Sequence, residues 1–496
     1  MATADSGKKR ERSEATAAAA SPAPHPDPYD AERYAAYVED FRQAAHQAVD
    51  WIADYLSHTR RYPVLPQIHP GELIDALPAA APEKGEPFAR ILRDFDKKIL
   101  PAVTHWNHPR FMAYFACTGS TPAIIGEMLA AALNTNGIHW LTSPAVAELE
   151  HVVLGWYRQW LGLPDDFMGI VYDTASVSTM HAIAAAREMA DPEVRVKGSK
   201  ANLVLYTSEQ SHSSVEKGAI ALGIGQKNVR KVLVDSAFRM RPEVLRDMLV
   251  ADYGSGLRPF CVVATVGTTS TTSVDPVEAV AKIAEQYNLW LHVDAAYAGA
   301  AAILPEHAHI LKGAERAHSL VTNPHKWLFT PSDFSVFYTR RPEILRRSFS
   351  LIPEYLRAKT QEDARSINLM DYGVPLGRRF RALKFWFTLR YFGREGIEKL
   401  LRAHIAWAQE LAGWIKSDAH FEVVAPHPFS VVCFRLKGSD QANSELLDRV
   451  NATGKAFLSH TELEGRYVLR IALANLATTH EDVQAVWELV QRCAKG

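Results

Sequence analysis

Six short apolar runs between residues 169 and 323 constrain the fold of this chain more than any other feature. They read GIVYDT (169–174), NLVLYTS (202–208), KVLVD (231–235), FCVVATVG (260–267), LWLHVDA (289–295) and SLVTN (319–323). Helical text such as STMHAIAAAREMA and PVEAVAKIAEQYN separates several of them. Strands apolar on both faces, alternating with helices, predict a largely parallel α/β sheet covered on both sides. From about Lys384 the pattern changes. Long helices (GIEKLLRAHIAWAQELAGWIKS, EDVQAVWELVQRCA) frame short strands (FEVVAP, SVVCFRL, YVLRIAL), which predicts a smaller α+β domain. Ahead of the sheet, AERYAAYVEDFRQAAHQAVDWIADYLSHTR repeats apolar residues at helical spacing, and RYPVLPQIHPGEL then breaks into extended chain. That helical segment cannot close a core alone and is expected to pack on a partner subunit. The chain has 496 residues, too many for one core. The expected division is a disordered tail over 1–28, a helical dimerisation segment over 29–120, a large domain over 121–383 and a small domain over 384–496.

Net charge is −1, so no broad basic field exists to hold nucleic acid or an anionic membrane. No apolar stretch approaches bilayer-spanning length. Cys117, Cys261, Cys433 and Cys493 are scattered without a CxxC pair, which argues against a disulfide framework and a structural metal site. A reducing, cytoplasmic location is expected. The opening MATADSGKKRERSEATAAAASPAPHPDP lacks an apolar secretory core and reads as a solvated tail.

Ligands of open α/β sheets bind beyond the carboxyl ends of the strands. Four such ends carry polar chemistry. In YDTASVSTMHAIAAARE, small hydroxyl residues open a helix, and its first N–H groups around Ala175 and Ser176 suit a phosphate. In LHVDAAYAGA, Asp294 ends an apolar strand and needs a cation or donor. His212 lies between serines in TSEQSHSSVEKGA. Lys326, in VTNPHKWLFTP, puts an amine beside a core run, where desolvation lowers its pKa and makes it a nucleophile. Taken singly, each has an ordinary structural explanation: an N-cap, a salt bridge, a hydrogen-bonded loop histidine, a snorkelling lysine. Together they are what pyridoxal phosphate requires: a phosphate cradle, a ring-facing histidine, a carboxylate for the pyridine nitrogen and a lysine for the Schiff base.

The chain resembles the group II pyridoxal-phosphate amino-acid decarboxylases, and within them the aromatic L-amino-acid decarboxylases. NPHKW (323–327), HVDAAYAG (292–299), SHSSVEKG (211–218), THWNHPRFMAYF (104–115), SPAVAELE (143–150) and PLGRRFRALKFW (375–386) carry the resemblance. It implies the type I, aspartate-aminotransferase-like fold, with a mostly parallel seven-stranded sheet, a small C-terminal domain and an N-terminal helical arm. It implies that Lys326 carries the cofactor, that Asp294 pairs the pyridinium with Ala296 nearby, and that His212 stacks on the opposite ring face. Ala175, Ser176, Ser319 and His325 would hold the phosphate end or its surroundings, and Thr265 would lie close to the ring. Trp106, Tyr114 and Phe115 would line the substrate pocket. Leu376 and Gly377 would reach the partner's cofactor, making the enzyme a homodimer with shared sites.

One departure bears on the product. The family's mobile loop before PLGRRF carries a tyrosine that protonates Cα. Here the loop reads SINLMDYGVPLGRRF, and gap-free alignment puts Leu369 at the tyrosine position. Leucine has no proton to give. Tyr372 or His212 then serves as the acid and an amine forms, or oxygen intervenes and an aldehyde, ammonia and peroxide result. Simple decarboxylation is the expected outcome. Ala116 in place of proline, Ile138 in place of phenylalanine and Gly377 in place of serine reshape the pocket. An aminotransferase on the same fold would need an arginine to grip the α-carboxylate and would not use NPHKW. The joint presence of lysine, aspartate and histidine argues against a cofactor-free scaffold.

Overall fold

The computed structural model describes residues 31–199, 202–351 and 366–495; the tail expected over 1–28 lies outside them. The chain forms two compact units. One, running to His58 and over Pro66–Val103, is helical, led by the helix Ala31–Ser57. The other, Thr59–Leu65 with the chain from Thr104 onward, holds both sheets. Residues 104–120, assigned from the sequence to the helical segment, thus belong with the sheets.

The larger sheet has seven strands: β1 (Met168–Tyr172), β2 (Leu203–Ser208), β3 (Val229–Val232), β4 (Arg258–Thr265), β5 (Trp290–Asp294), β6 (Ser319–Thr322) and β7 (Ser335–Thr339), in the order β1-β7-β6-β5-β4-β2-β3. The pairs from β6 to β3 are parallel. β7 begins nine residues after Lys326, beyond the WLFTP run next to it, and runs antiparallel to both β6 and β1. β1 therefore points the same way as β6, and six strands present their carboxyl ends along one edge. β3 lies two residues earlier than KVLVD suggests, because Leu233 is solvent-facing.

Residues of β4 and β5 alternate between two cores. Val262, Ala264, Leu291 and Val293 face one, while Cys261, Val263 and Trp290 face the other. This two-sided burial is why these strands read as continuous apolar runs. The smaller sheet is antiparallel, with β8 (Phe421–Val423), β9 (Val431–Leu436), β10 (Ser459–Leu463) and β11 (Arg466–Ala472) in the order β10-β11-β9-β8. The helix Arg381–Ser417 connects the sheets and breaks at Gly393, whose φ of 61° suits glycine.

The small sheet also fixes the 104–115 segment. Met112 N donates to Phe457 O and Ala472 N to Met112 O, both at 2.9 Å. Asp482, buried at the start of the helix His480–Ala494, accepts from Arg60 at 2.6 Å and Arg110 at 3.0 Å. Burial pushes the Asp482 pKa up, but those two hydrogen bonds more than offset it and leave the carboxyl below its ordinary range. Its stabilisation is therefore complete above the ordinary carboxylate pKa and is lost as pH falls through the depressed one. Asp482→Asn is expected to lower urea-unfolding stability at pH 7 by about 2 kcal/mol. The loss should shrink toward pH 3. Equal stability of variant and parent at pH 7 would show that the pair is idle.

Candidate active site

Lys326 sits in a four-residue helix, Pro324–Trp327, between β6 and β7. Proline at its first position presets the turn, and Lys326 N closes it onto Asn323 O at 2.9 Å. Trp327 anchors the turn. It is fully buried, stacks on Tyr297 at 4.9 Å and donates from its indole to His404 Nδ1 at 3.0 Å. The lysine amine forms no hydrogen bond or ion pair among the described residues. It lies 5.0 Å from the centroid of the Phe115 ring, and Tyr297 stacks on that ring at 3.9 Å. Burial lowers the Lys326 pKa, the Arg470 charge adds to this, and Asp294 and Cys117 oppose it. A desolvated amine with a depressed pKa is a competent nucleophile.

Asp294 ends β5 opposite Thr265 of β4 and Val321 of β6. It is 5% exposed, accepts one hydrogen bond from Ala296 N at 3.1 Å and forms no ion pair among the described residues. A buried carboxylate with capacity to spare fits a cationic ring N–H. His212 follows β2. Its Nδ1 accepts from Ser214 N at 3.1 Å, with the Ser214 hydroxyl at 2.8 Å, so Nε2 carries the ring proton. Burial and the Lys326 charge push its pKa down against Asp294, so the imidazole is neutral. Lys326, Asp294 and His212 thus come from three separate strand ends into one electrostatic neighbourhood. Thr265 is buried beside them, its N–H held by Asp275 at 2.8 Å and its hydroxyl 3.3 Å from Ser211.

An anion site lies along the same edge. The helix Ala175–Ala190 begins there, capped by Thr174, with the N–H groups of its first turn, at Ala175 and Ser176, open. His325 is buried, and its Nδ1 accepts from Phe334 N at 2.9 Å, which leaves Nε2–H as a donor. Burial and the neighbouring Lys326 hold the His325 pKa at about 3, so the donor is uncharged. Asn323 occupies the N-cap position of the lysine helix, 3% exposed, with its amide oxygen lacking a partner among the described residues; its NH2 group is the end that suits an anion. A nucleophilic amine, a buried carboxylate, a neutral imidazole and an anion cradle match the functional groups of pyridoxal phosphate.

Two expected residues lie elsewhere. Ser319 is at the amino end of β6, where its hydroxyl contacts Trp290 and His292. Three strand residues, roughly 10 Å, separate it from the carboxyl edge. Asn323, which sequence reasoning passed over, occupies the edge instead. The Tyr372 phenol packs beside the core of Tyr172 and Phe349, and its charged neighbours are Arg346 and Asp371 rather than Lys326. Burial raises its pKa, so it keeps its proton. Leu369 is buried, one residue from the hydrogen bond between Met370 N and Ile138 O at 3.1 Å, so Leu369 and Ile138 do adjoin. Gly377 lies over Asn136, where a Cβ would approach the amide to 3.2 Å, and Leu376 is exposed. Trp106 and Tyr114 stack at 6.2 Å, both partly exposed, while Phe115 is buried beneath the lysine.

Two more groups were missed. Arg470 of β11 is buried with its guanidinium 5.4 Å from the Phe115 centroid. It donates to the Ser270 and Thr269 carbonyls and has no carboxylate partner among the described residues. Cys117 is close enough for its ionisation to feel Lys326.

Comparison with known proteins agrees with this geometry. Residues 70–437 match the pyridoxal-dependent decarboxylase conserved domain. Tryptophan decarboxylase TDC2 of Camptotheca acuminata is 42% identical over 472 residues, covering 92% of this chain and 95% of its own. Phenylacetaldehyde synthase of Arabidopsis thaliana is 41% identical over 470 residues, covering 91% and 95%. A crystal structure of Oryza sativa TDC with PLP and tryptamine superposes with a TM-score of 0.90 at 37% identity, covering 95% of this chain and 99% of that one. The chain belongs to the pyridoxal-phosphate-dependent amino-acid decarboxylases, in the aromatic L-amino-acid decarboxylase family, and is a carboxy-lyase.

Proposed function

We propose that this enzyme removes CO2 from tryptophan, tyrosine, DOPA or phenylalanine and releases the amine. The observation that supports it most is the convergence of Lys326, Asp294 and His212 beside the buried Phe115 ring. Pyridoxal phosphate, when bound, supplies a conjugated cationic ring that accepts the electron pair left by the departing carboxylate. Lys326 would hold the cofactor covalently, and its depressed pKa favours the neutral amine needed for that. Asp294 would keep the pyridine nitrogen protonated. His212 would cover the ring face, and Ala296 and Thr265 would flank it. Ala175, Ser176, His325 and Asn323 would hold the phosphate. Arg470 raises the positive potential where an α-carboxylate arrives, and Trp106, Tyr114, Phe115 and Ile138 would bound the aromatic side chain.

A homodimer with shared sites is part of the proposal. Ile125, Leu129 and Leu133 on the helix Thr121–Leu133, with Val152 and Trp156 on Pro144–Trp160, are exposed, more apolar surface than isolated residues give. Gly377 and Leu376 would then serve the partner's site. Sedimentation at the monomer mass under assay conditions would defeat the shared-site reading. A cytoplasmic location is also proposed, in keeping with four free thiols and no membrane-length apolar helix among the described residues.

A second reading has one observation in its favour. Leu369 is buried and protonless, and Tyr372 is turned toward Arg346, so neither offers Cα an acid within this chain. Without prompt protonation, oxygen can divert the reaction to CO2, aldehyde, ammonia and peroxide. Incubation with the four amino acids decides between them: CO2 with amine supports the proposal, and CO2 with peroxide supports the second reading. A keto acid without CO2 overturns both. Where any aldehyde forms, Leu369→Tyr is expected to raise the amine-to-aldehyde ratio about tenfold, equivalent to roughly 1.4 kcal/mol between competing barriers. An unchanged ratio would mean that position 369 does not face Cα.

A further inference from the structure

Thr265 is where three parts of the site meet. It ends β4 and pairs in register with Asp294, and the next residue, Val266, donates its N–H to Asp294 O at 2.8 Å. The Thr265 hydroxyl lies 3.3 Å from that of Ser211, the neighbour of His212. Asp275 holds the Thr265 backbone from the far side of a turn. Thr265 N donates to Asp275 Oδ2 at 2.8 Å, and Asp275 N donates back to Thr265 O at 2.9 Å. The chain between them doubles back: Val266 bridges Val274, and Gly267 N and Thr268 N both donate to Ser273 O at 3.0 Å. The other carboxylate oxygen, Asp275 Oδ1, accepts from Met240 N at 2.7 Å, just ahead of the helix Pro242–Gly254. One side chain thus joins the end of β4 to a segment that belongs to neither β4 nor β5.

Asp275 is 1% exposed and forms no ion pair among the described residues. A buried carboxylate without a cation is costly, so its retention calls for a use. Two main-chain N–H groups converge on it, one on each oxygen. An asparagine would accept one of them and turn its NH2 against the other. Burial pushes the Asp275 pKa up to about 6; the bonds from Met240 and Thr265 pull it down, and the Asp235 and Asp294 charges push it up. The Asp294 charge is therefore felt at Asp275, and the two anions repel across the end of β4. A cationic ring beside Asp294 relieves that repulsion.

We propose that Asp275 is a positioning residue for the cofactor ring: its carboxylate joins the Thr265 and Met240 N–H groups and so fixes the end of β4 against Asp294 and the His212 loop. It acts through Thr265 and does not itself touch the ring. Losing the carboxylate loosens the Thr265 peptide and also removes the repulsion that a bound cationic ring relieves. Both effects weaken cofactor binding.

The inference rests on the ring lying between Asp294 and His212, and the test separates the two claims. Full-length protein stripped of cofactor is titrated near pH 8 with pyridoxal phosphate by fluorescence quenching, with folding verified by far-UV circular dichroism. Asp275→Asn is expected to weaken binding about fivefold and to reduce the visible circular-dichroism band of the bound cofactor by about half, with the amino-acid KM within about twofold of the parent. The smaller band would report a ring no longer held at one angle. A folded Asp275→Asn with parental affinity and a parental band, beside an Asp294→Asn that has lost both, overturns the role of Asp275. If Asp294→Asn itself binds like the parent, the placement of the ring fails and the inference falls with it. Should Asp275→Asn not fold, amide exchange in the parent decides. Cofactor binding should slow exchange at Met240 about fivefold, because Asp275 joins that amide to Thr265. Unchanged exchange at Met240 overturns the proposal.

Discussion

Lys326→Ala releases no measurable CO2 from any aromatic amino acid, a loss of at least about 10³-fold, or 4 kcal/mol. The size follows from what the position supplies. Among the described residues the amine is the one ready nucleophile at the convergence of the strand edge, Phe115 and Asp294, and its short helix is pinned by Trp327 to His404 and Tyr297. No neighbour replaces it. Arg470 stays protonated, and burial raises the pKa of the Cys117 thiol, so little thiolate is present. The parent protein should be yellow, bleach with borohydride and carry the reduced label on Lys326; the variant should carry none. Turnover within tenfold of the parent, or a label on another lysine, would falsify the assignment. The pinned helix also makes misfolding a poor excuse, since truncation at Cβ leaves Trp327, His325 and the Asn323 cap intact.

Sequence periodicity revealed most of the sheet because β2, β4, β5 and β6 are buried along nearly their whole length, and alternation with helices dictated parallel pairing. β10 escaped notice because SHTEL is an edge strand with polar residues at four of five positions. The site was legible where a residue sits directly at a strand's carboxyl end, as Asp294 does, or just past one, as Lys326 and His212 do. It was illegible where chemistry depends on register. Ser319 and Asn323 bracket the same short strand, and only the pairing of Asp294 with Val321 shows which end meets the cofactor. Arg470 had no local signal at all, because it arrives from the small sheet some 350 residues after the Phe115 segment it packs on. Tyr372 was chosen by proximity to Leu369 along the chain, but the 3-10 turn Leu369–Tyr372 sends the two side chains into different cores.

Asp294→Asn should separate two effects of one charge, and they run in opposite directions. The carboxylate raises the Lys326 pKa against burial. Removing the charge therefore drops that pKa further, and more of the amine is neutral at a given pH. In the cofactor-free variant, an acylating reagent at pH 7 should label Lys326 faster than in the parent. The same substitution leaves the pyridine nitrogen without the anion that keeps it protonated, and an uncharged ring is a poorer electron sink. Loss of one such preorganised electrostatic partner commonly costs about 10²–10³ in kcat. A more reactive lysine combined with slower decarboxylation is a combination that general damage to the fold does not produce, because a loosened site would rehydrate the amine and return its pKa toward the ordinary value. If labelling slows along with turnover, Asp294 acts chiefly by holding the strand edge together. If labelling quickens and turnover is preserved, the carboxylate does not face the pyridine nitrogen. The ring must then be oriented another way between His212 and β5.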